Sequence, residues 1–167
     1  MAHLGLPHHA GVLFVTPSNL NPGTWDVLLF GKAAGMGSIQ ATLLSDQVMP
    51  GEQSNKAAQR LFDSLPVGMF PHRNLAKMPH VTFNTKHTSL RVYLVMLPRG
   101  HYCNIFNKTL GPTSPLLFLR RYPLRNVRAV VGASTCQDEN GNSINVPFRT
   151  IEAVRQLANT GHFGGMA

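Results

Sequence analysis

The sequence predicts a mixed α/β fold, and three observations carry that prediction. Short apolar runs bounded by Pro, Asn and Gly recur along the chain, a stretch at 51–65 repeats its apolar residues at helical spacing, and a second such stretch closes the chain. No internal repeat is present.

The elements follow in order. "AGVLFVT" (10–16) and "WDVLLFGK" (25–32) are joined by "PSNLNPG", whose turn formers predict an antiparallel pair. "AAGMGS" (33–38) reads as a loop, and it lacks the Gly-Lys-Ser or Gly-Lys-Thr of a phosphate-binding loop. In "GEQSNKAAQRLFDSL" (51–65), Ala57, Ala58, Leu61, Phe62 and Leu65 fall at helical spacing, Ser54 is the expected N-cap, and Pro66 prevents continuation. Three prolines make "PVGMFPHRNLAKMPH" (66–80) a loop. "RVYLVMLP" (91–98) is a strand ended by Pro98, and "SPLLFLRRYPLRNVRAVVGA" (114–133) holds a strand, a connecting turn and another short strand or extended run. "QDENGNS" (137–143) is a polar turn. The final "PFRTIEAVRQLANTGHF" (147–163) is a helix with Ile151, Val154 and Leu157 on one face and a stop at Gly161.

At 167 residues, with 43% apolar and 13% charged residues, the composition is that of a compact globular chain, and one domain over 1–167 is expected. The start has no basic segment followed by an apolar run, and no eighteen consecutive apolar residues occur, so an intracellular protein without a membrane span is expected. Cys103 and Cys136 are isolated and form no CxxC, which disfavours structural zinc. His8 and His9 read as a solvated entry segment rather than a ligand pair.

The charge of +8 is unevenly placed. Between Ser64 and Gln137 there is no Asp or Glu, while Arg73, Lys77, Lys86, Arg91, Arg99, Lys108, Arg120, Arg121, Arg125 and Arg128 all fall there. Local ion pairs cannot neutralise such a segment, and its field favours polyanions, single-stranded RNA first among them.

"PGEQSNKAAQRLF" resembles the box of the Nudix family, which runs Gly, five residues, Glu, seven residues, Arg-Glu, an apolar residue, any residue, Glu-Glu, any residue, Gly. Aligned on Glu52, Arg60 occupies the box arginine and Phe62 the apolar site. The resemblance implies an α/β/α sandwich with a mixed sheet. The glutamates that hold Mg²⁺ or Mn²⁺ in active members are here Leu61, Ser64 and Leu65, the first box glycine is Asp46, and Asp63 falls on the variable position. Hard divalent cations need several oxygen ligands, which leucines do not supply. The expectation is therefore a degenerate box, no metal or other cofactor, and no enzyme activity, with Glu52 retained for a loop hydrogen bond.

One branch narrows the resemblance: the small Nudix-fold subunit of pre-mRNA cleavage factor Im, a homodimer that binds single-stranded RNA without hydrolysing it. The box stretch, "MPHVTFNTKHTSLRVYLVMLP" (78–98) and the late "PLLFL" look like it. The branch also has an N-terminal extension and a base-stacking aromatic before the box, and "SIQATLL" offers no such ring. The resemblance implies an RNA-binding module within a larger protein complex, in the nucleus. Its expected RNA-binding residues are Arg73, Lys77, Lys86, Arg91, Arg120, Arg121 and Arg125, with Phe70, Phe83 and Tyr93 as stacking surfaces or core residues. Two alternatives stand beside it: a structural subunit of a ribonucleoprotein or viral assembly, and a metal-dependent Nudix hydrolase with ligands outside the box.

Other chemistry is disfavoured. "HVTF" (80–83) with "HTS" (87–89) is too closely spaced for the paired histidines of a two-histidine phosphoesterase, and Cys103 near His101 reads as a thiol beside a loop histidine.

Overall fold

A computed structural model describes residues 7–33, 38–65, 70–86, 88–99, 116–130, 135–138 and 140–161. Most of the 33–38 loop, His87, and the His101 and Cys103 pair lie outside the described residues.

The sheet is mixed. Its strands are β1 (His9–Pro17), β2 (Trp25–Ala33), β3 (Ile39–Thr42), β4 (Leu44–Gln47), β5 (His80–Asn84), β6 (Ser89–Met96), β7 (Leu116–Pro123), β8 (Thr135–Gln137) and β9 (Ser143–Asn145). The main path runs β5-β6-β1-β2-β3-β9-β8, with β4 added to β1 and β7 to β2. The expected β1–β2 hairpin is present and antiparallel, from Phe14 opposite Leu28 to Pro17 opposite Trp25. β1 pairs parallel with β6, from His9 beside Leu90 to Val15 beside Met96. As β2 leaves the start of β1, β4 takes its place antiparallel along His9 to Val12.

β1 is buried on both faces, and a strand with two buried faces needs an unbroken apolar run. Ala10, Val12 and Phe14 face the core beneath the helix α1 (Ser54–Asp63). Leu13 and Val15 face a second core beneath α2 (Leu124–Arg128) and α3 (Phe148–Asn159). Helices on both faces of a mixed sheet give the three-layer sandwich.

α1 buries Ala57, Ala58 and Phe62, whereas Leu61 is half-buried and outside the core, and Leu65 packs only partly against it. The expected N-cap is corrected: Gln53 holds that position without a side-chain cap bond, and Ser54 is the first helical residue, its Oγ 2.9 Å from the Tyr93 hydroxyl. The loop after α1 contains a 3-10 turn at Leu75–Lys77, where the Asn74 side chain accepts from the Ala76 amide.

Two further expectations change. After β7 the chain forms α2 rather than a turn and an extended run, because Leu124 and Val127, three apart, reach the core on one helical face while Arg125 stays in solvent. The 137–143 turn closes a hairpin of β8 and β9 that the sequence does not announce. Asp138 holds that turn by accepting from the Asn140 and Asn142 amides, both at 2.9 Å, and Gly141 supplies a positive φ of 85°. No helix among the described residues is long and apolar enough to cross a membrane.

Candidate functional site

Arg60 organises the segment that joins β4 to α1. Its Nε donates to Glu52 Oε2 at 3.3 Å and its Nη2 to Glu52 Oε1 at 3.1 Å, a two-pronged grip on one carboxylate. Nη1 donates to Asp46 Oδ2 at 3.1 Å and Nη2 also to the Gln47 carbonyl at 3.1 Å. Glu52 Oε1 in turn accepts from the Met49 amide at 2.9 Å, the loop hydrogen bond expected of it. One guanidinium on the helix thus fixes both ends of the 46–52 loop.

The carboxylates are held in their charged form. The hydrogen bonds from Arg60 and then from the Met49 amide keep Glu52 below its ordinary value of 4.5. For Asp46, partial burial opposes ionisation, but the Gln47 amide and Arg60 outweigh it and hold the carboxyl below 3.8. The Arg60 guanidinium is stabilised as a cation by Glu52 and then Asp46.

Asp46 also belongs to a cleft. A cavity of about 710 Å³ is lined by His9 from β1, Ser45 to Gln47 from β4, Thr85, Lys86 and Thr88 from the β5–β6 turn, and Pro147, Phe148 and Arg149 at the start of α3. That volume lies within the range of small-molecule sites. His9 Nδ1 is 2.9 Å from Thr88 Oγ1, tying β1 to the turn. Burial pushes the Arg149 guanidinium below its usual range, and its Nε is buried with no hydrogen-bond partner among the described residues.

Positions 61, 64 and 65 bring no oxygen ligand except the Ser64 hydroxyl, which donates to the Leu61 carbonyl at 2.6 Å. Among the described residues no three His, Cys, Asp or Glu side chains converge to cage a metal. Mg²⁺, however, is commonly held by one or two carboxylates, with substrate phosphates and water completing its shell. Asp46, ionised and on the cleft wall, fits that sparse mode, and an all-protein cage does not fit.

The expected RNA-binding residues come from several different elements. Arg73 and Lys77 lie in the loop after α1, where Arg73 Nη1 donates to the His72 carbonyl at 3.2 Å. Arg91 on β6 is engaged with Thr82 Oγ1 at 2.7 Å and Ser54 Oγ at 3.3 Å. Arg120 on β7 is exposed and lies 3.9 Å over the Phe118 ring, while Arg125 is exposed on α2. Arg121 is corrected outright: it is 3% exposed and bonded to Asp26, because its strand position faces the interior. Phe83 and Tyr93, 6% and 3% exposed, are core residues and cannot stack a base, and Phe70 stacks on Phe14 with ring centroids 4.4 Å apart. Only Lys86 of the expected set lines the cleft.

The sequence reading missed His9, Phe148 and Arg149 as site residues and treated Asp46 only as a lost glycine. Their separation along the chain hides them, although an acid four residues before the Pro-Gly-Glu turn was a visible signal.

No protein-family model and no curated protein matches the sequence. Solved structures do match in fold. A MutT/Nudix family protein from Listeria innocua superposes with a TM-score of 0.54 at 14% identity, over 95% of this chain and 96% of that one. The Ap4A hydrolase of C. elegans in a binary complex gives 0.51 at 13% identity, over 91% and 96%. A protein from Jonesia denitrificans described as a possible asymmetric diadenosine tetraphosphate hydrolase gives 0.51 at 13% identity, over 99% of both chains.

These neighbours correct the expectation that the chain is not an enzyme. The proteins sharing its fold over nearly its whole length include the C. elegans Ap4A hydrolase. The physical error was to equate three vacated positions on one helix with the loss of every oxygen ligand, when Asp46 stands outside them on a cleft. By its layers, its mixed sheet and these neighbours, the chain has the Nudix fold.

Proposed function

We propose that the chain is a metal-dependent hydrolase of a nucleoside polyphosphate or nucleoside-diphosphate derivative, drawing its metal carboxylate from outside the three vacated positions Leu61, Ser64 and Leu65. The observation that carries this reading is the sharing of Asp46 between the Arg60 grip and the cleft, which puts a fixed, ionised carboxylate on the wall of a cavity that Lys86 and Arg149 also line. The two cations are suited to a substrate's phosphates, and Asp46 would hold the ion against them. When bound, a divalent ion polarises the phosphoryl oxygen and lowers the pKa of an attacking water. Arg60 acts one step back, as a positioning residue that keeps Asp46 aimed and charged. The fold neighbours support the reaction class, and the exposed Lys77, Arg120 and Arg125 add a field that attracts any polyanionic substrate, a capped RNA end included.

The test is turnover of diadenosine tetraphosphate, ADP-ribose and capped RNA with Mg²⁺ or Mn²⁺, followed by chromatography of the nucleotide products. Turnover that stops with chelator and falls at least about 100-fold in Asp46→Asn is expected. Absence of products from all three substrates with both ions would remove the reading.

A further inference from the structure

Four large apolar side chains are exposed among the described residues: Leu20, Ile39, Met49 and Phe148. Only Phe148 is aromatic, and only Phe148 lines the cleft. It opens α3 with 56% of its surface exposed, while the buried residues of that helix are Thr150, Ile151, Ala153, Val154 and Leu157. An aromatic ring left in water at the wall of a cavity has a face available for a planar ligand.

The next residue supplies the complementary chemistry. Arg149 has no carboxylate partner among the described residues, and its Nε is buried and unbonded. Lys86 reaches the same cavity from the β5–β6 turn. Pro147 at the N-cap of α3 offers no side-chain cap bond and the first turn carries no acidic residue, so the positive end of the helix adds to the two cations. A flat ring and an anion receptor on consecutive residues suit a ligand whose own flat ring and phosphate are one sugar apart.

We propose that Phe148 is the specificity-determining platform of the cleft, stacking a nucleobase while Arg149 and Lys86 take the phosphate of the same nucleotide. This rests on the reading of the cleft as a nucleotide site. Stacking uses the π face that every base shares, so the platform selects nucleotides over sugar phosphates and does not discriminate among bases.

The experiment titrates AMP and ribose 5-phosphate into the full chain by ligand-observed NMR, for the wild type and for Phe148→Ala, Phe148→Trp and Arg149→Met. AMP should bind the wild type about tenfold more tightly than ribose 5-phosphate, with the adenine H2 and H8 resonances moving upfield. Phe148→Ala should bring the two ligands to equal affinity without weakening ribose 5-phosphate, Phe148→Trp should restore the difference, and Arg149→Met should weaken both ligands alike. A Phe148→Ala protein that keeps the preference for AMP overturns the platform, even if Arg149→Met still weakens both ligands and the cleft reading survives. AMP binding that neither variant alters overturns the cleft itself, and the platform with it.

Discussion

Arg121 Nη1 donates to Asp26 Oδ2 at 3.4 Å, with 2% and 4% of the two side chains exposed. The pair joins β2 to β7 inside the protein. Burial pushes the Asp26 carboxyl above its ordinary 3.8, more than Arg121 and then Arg125 pull it down. A raised folded pKa means that Asp26 contributes its full stability below pH 3.8 and loses it as the pH rises through the raised value. At neutral pH the ion pair therefore offsets only part of its own desolvation.

Removing the cation should be costly at neutral pH. Arg121→Met should lose about 3–5 kcal/mol at pH 7, because it takes the hydrogen-bonded cation away from a buried carboxylate and leaves only the weaker pull of Arg125. The loss should shrink as the pH falls and Asp26 takes up a proton, and Asp26→Asn/Arg121→Met should recover most of it. Urea melts at several pH values measure this, and a pH-independent loss would contradict it.

The Arg60 grip should show the opposite pH dependence. Glu52 and Asp46 have lowered folded pKa values, so their contribution is complete above their ordinary values of 4.5 and 3.8 and is lost as the pH falls through the lowered ones. The stability difference between wild type and Arg60→Ala should be constant from neutral pH to about 5 and vanish in stronger acid. At neutral pH the same variant should speed amide exchange at Met49, whose hydrogen bond depends on a fixed Glu52.

Gly31 has no room for a side chain. A Cβ there would lie 2.2 Å from the Phe118 ring, beside the register shift of β2 against β7. Gly31→Ala should cost about 1–3 kcal/mol by overpacking. A second change, Phe118→Ala, should remove most of that penalty and also release Arg120 from its ring, which denaturant midpoints for the four proteins would reveal.

Returning carboxylates to α1 should be tolerated at its less buried positions. Leu61 is half-buried, Ser64 is exposed, and residues three apart on a helix share a face. Leu61→Glu/Ser64→Glu should fold with a melting point within a few degrees of wild type and gain a Mn²⁺-dependent rise in that melting point. Leu65→Glu, at a residue packed against the α1 core, should instead destabilise. No metal effect in the folded double variant would count against a metal site beside Asp46.

The long elements were legible because each repeats one burial pattern many times: β1 and β2 as apolar runs, α1 through Ala57, Ala58 and Phe62, α3 through Ile151, Val154 and Leu157. The three-residue strands β8 and β9 carry too few residues for any period, and Arg125 and Arg128 masked the Leu124–Val127 face of α2. The charge reading failed where it ignored facing. Arg120 and Arg121 are adjacent in sequence, yet alternation along β7 sends one to solvent and the other to Asp26. The cleft was hidden for a different reason: His9, Asp46, Lys86 and Arg149 meet only once β1, β4, the β5–β6 turn and α3 are assembled.

The position of β1 between β4 and β6 bears on how the chain folds as it leaves the ribosome. β1 is made well before β6, its parallel partner, which spans Leu90 to Met96 some eighty residues later. Until that segment emerges, the edge of β1 that faces β6 is unpaired and strongly apolar, and the strand is held only from its other side by β2 and β4. Pairings this distant in sequence form slowly and leave such edges open to other nascent chains. Slowed translation between residues 47 and 89 should therefore favour aggregation, and a holdase that covers the first hairpin should raise the soluble yield more than one added after release.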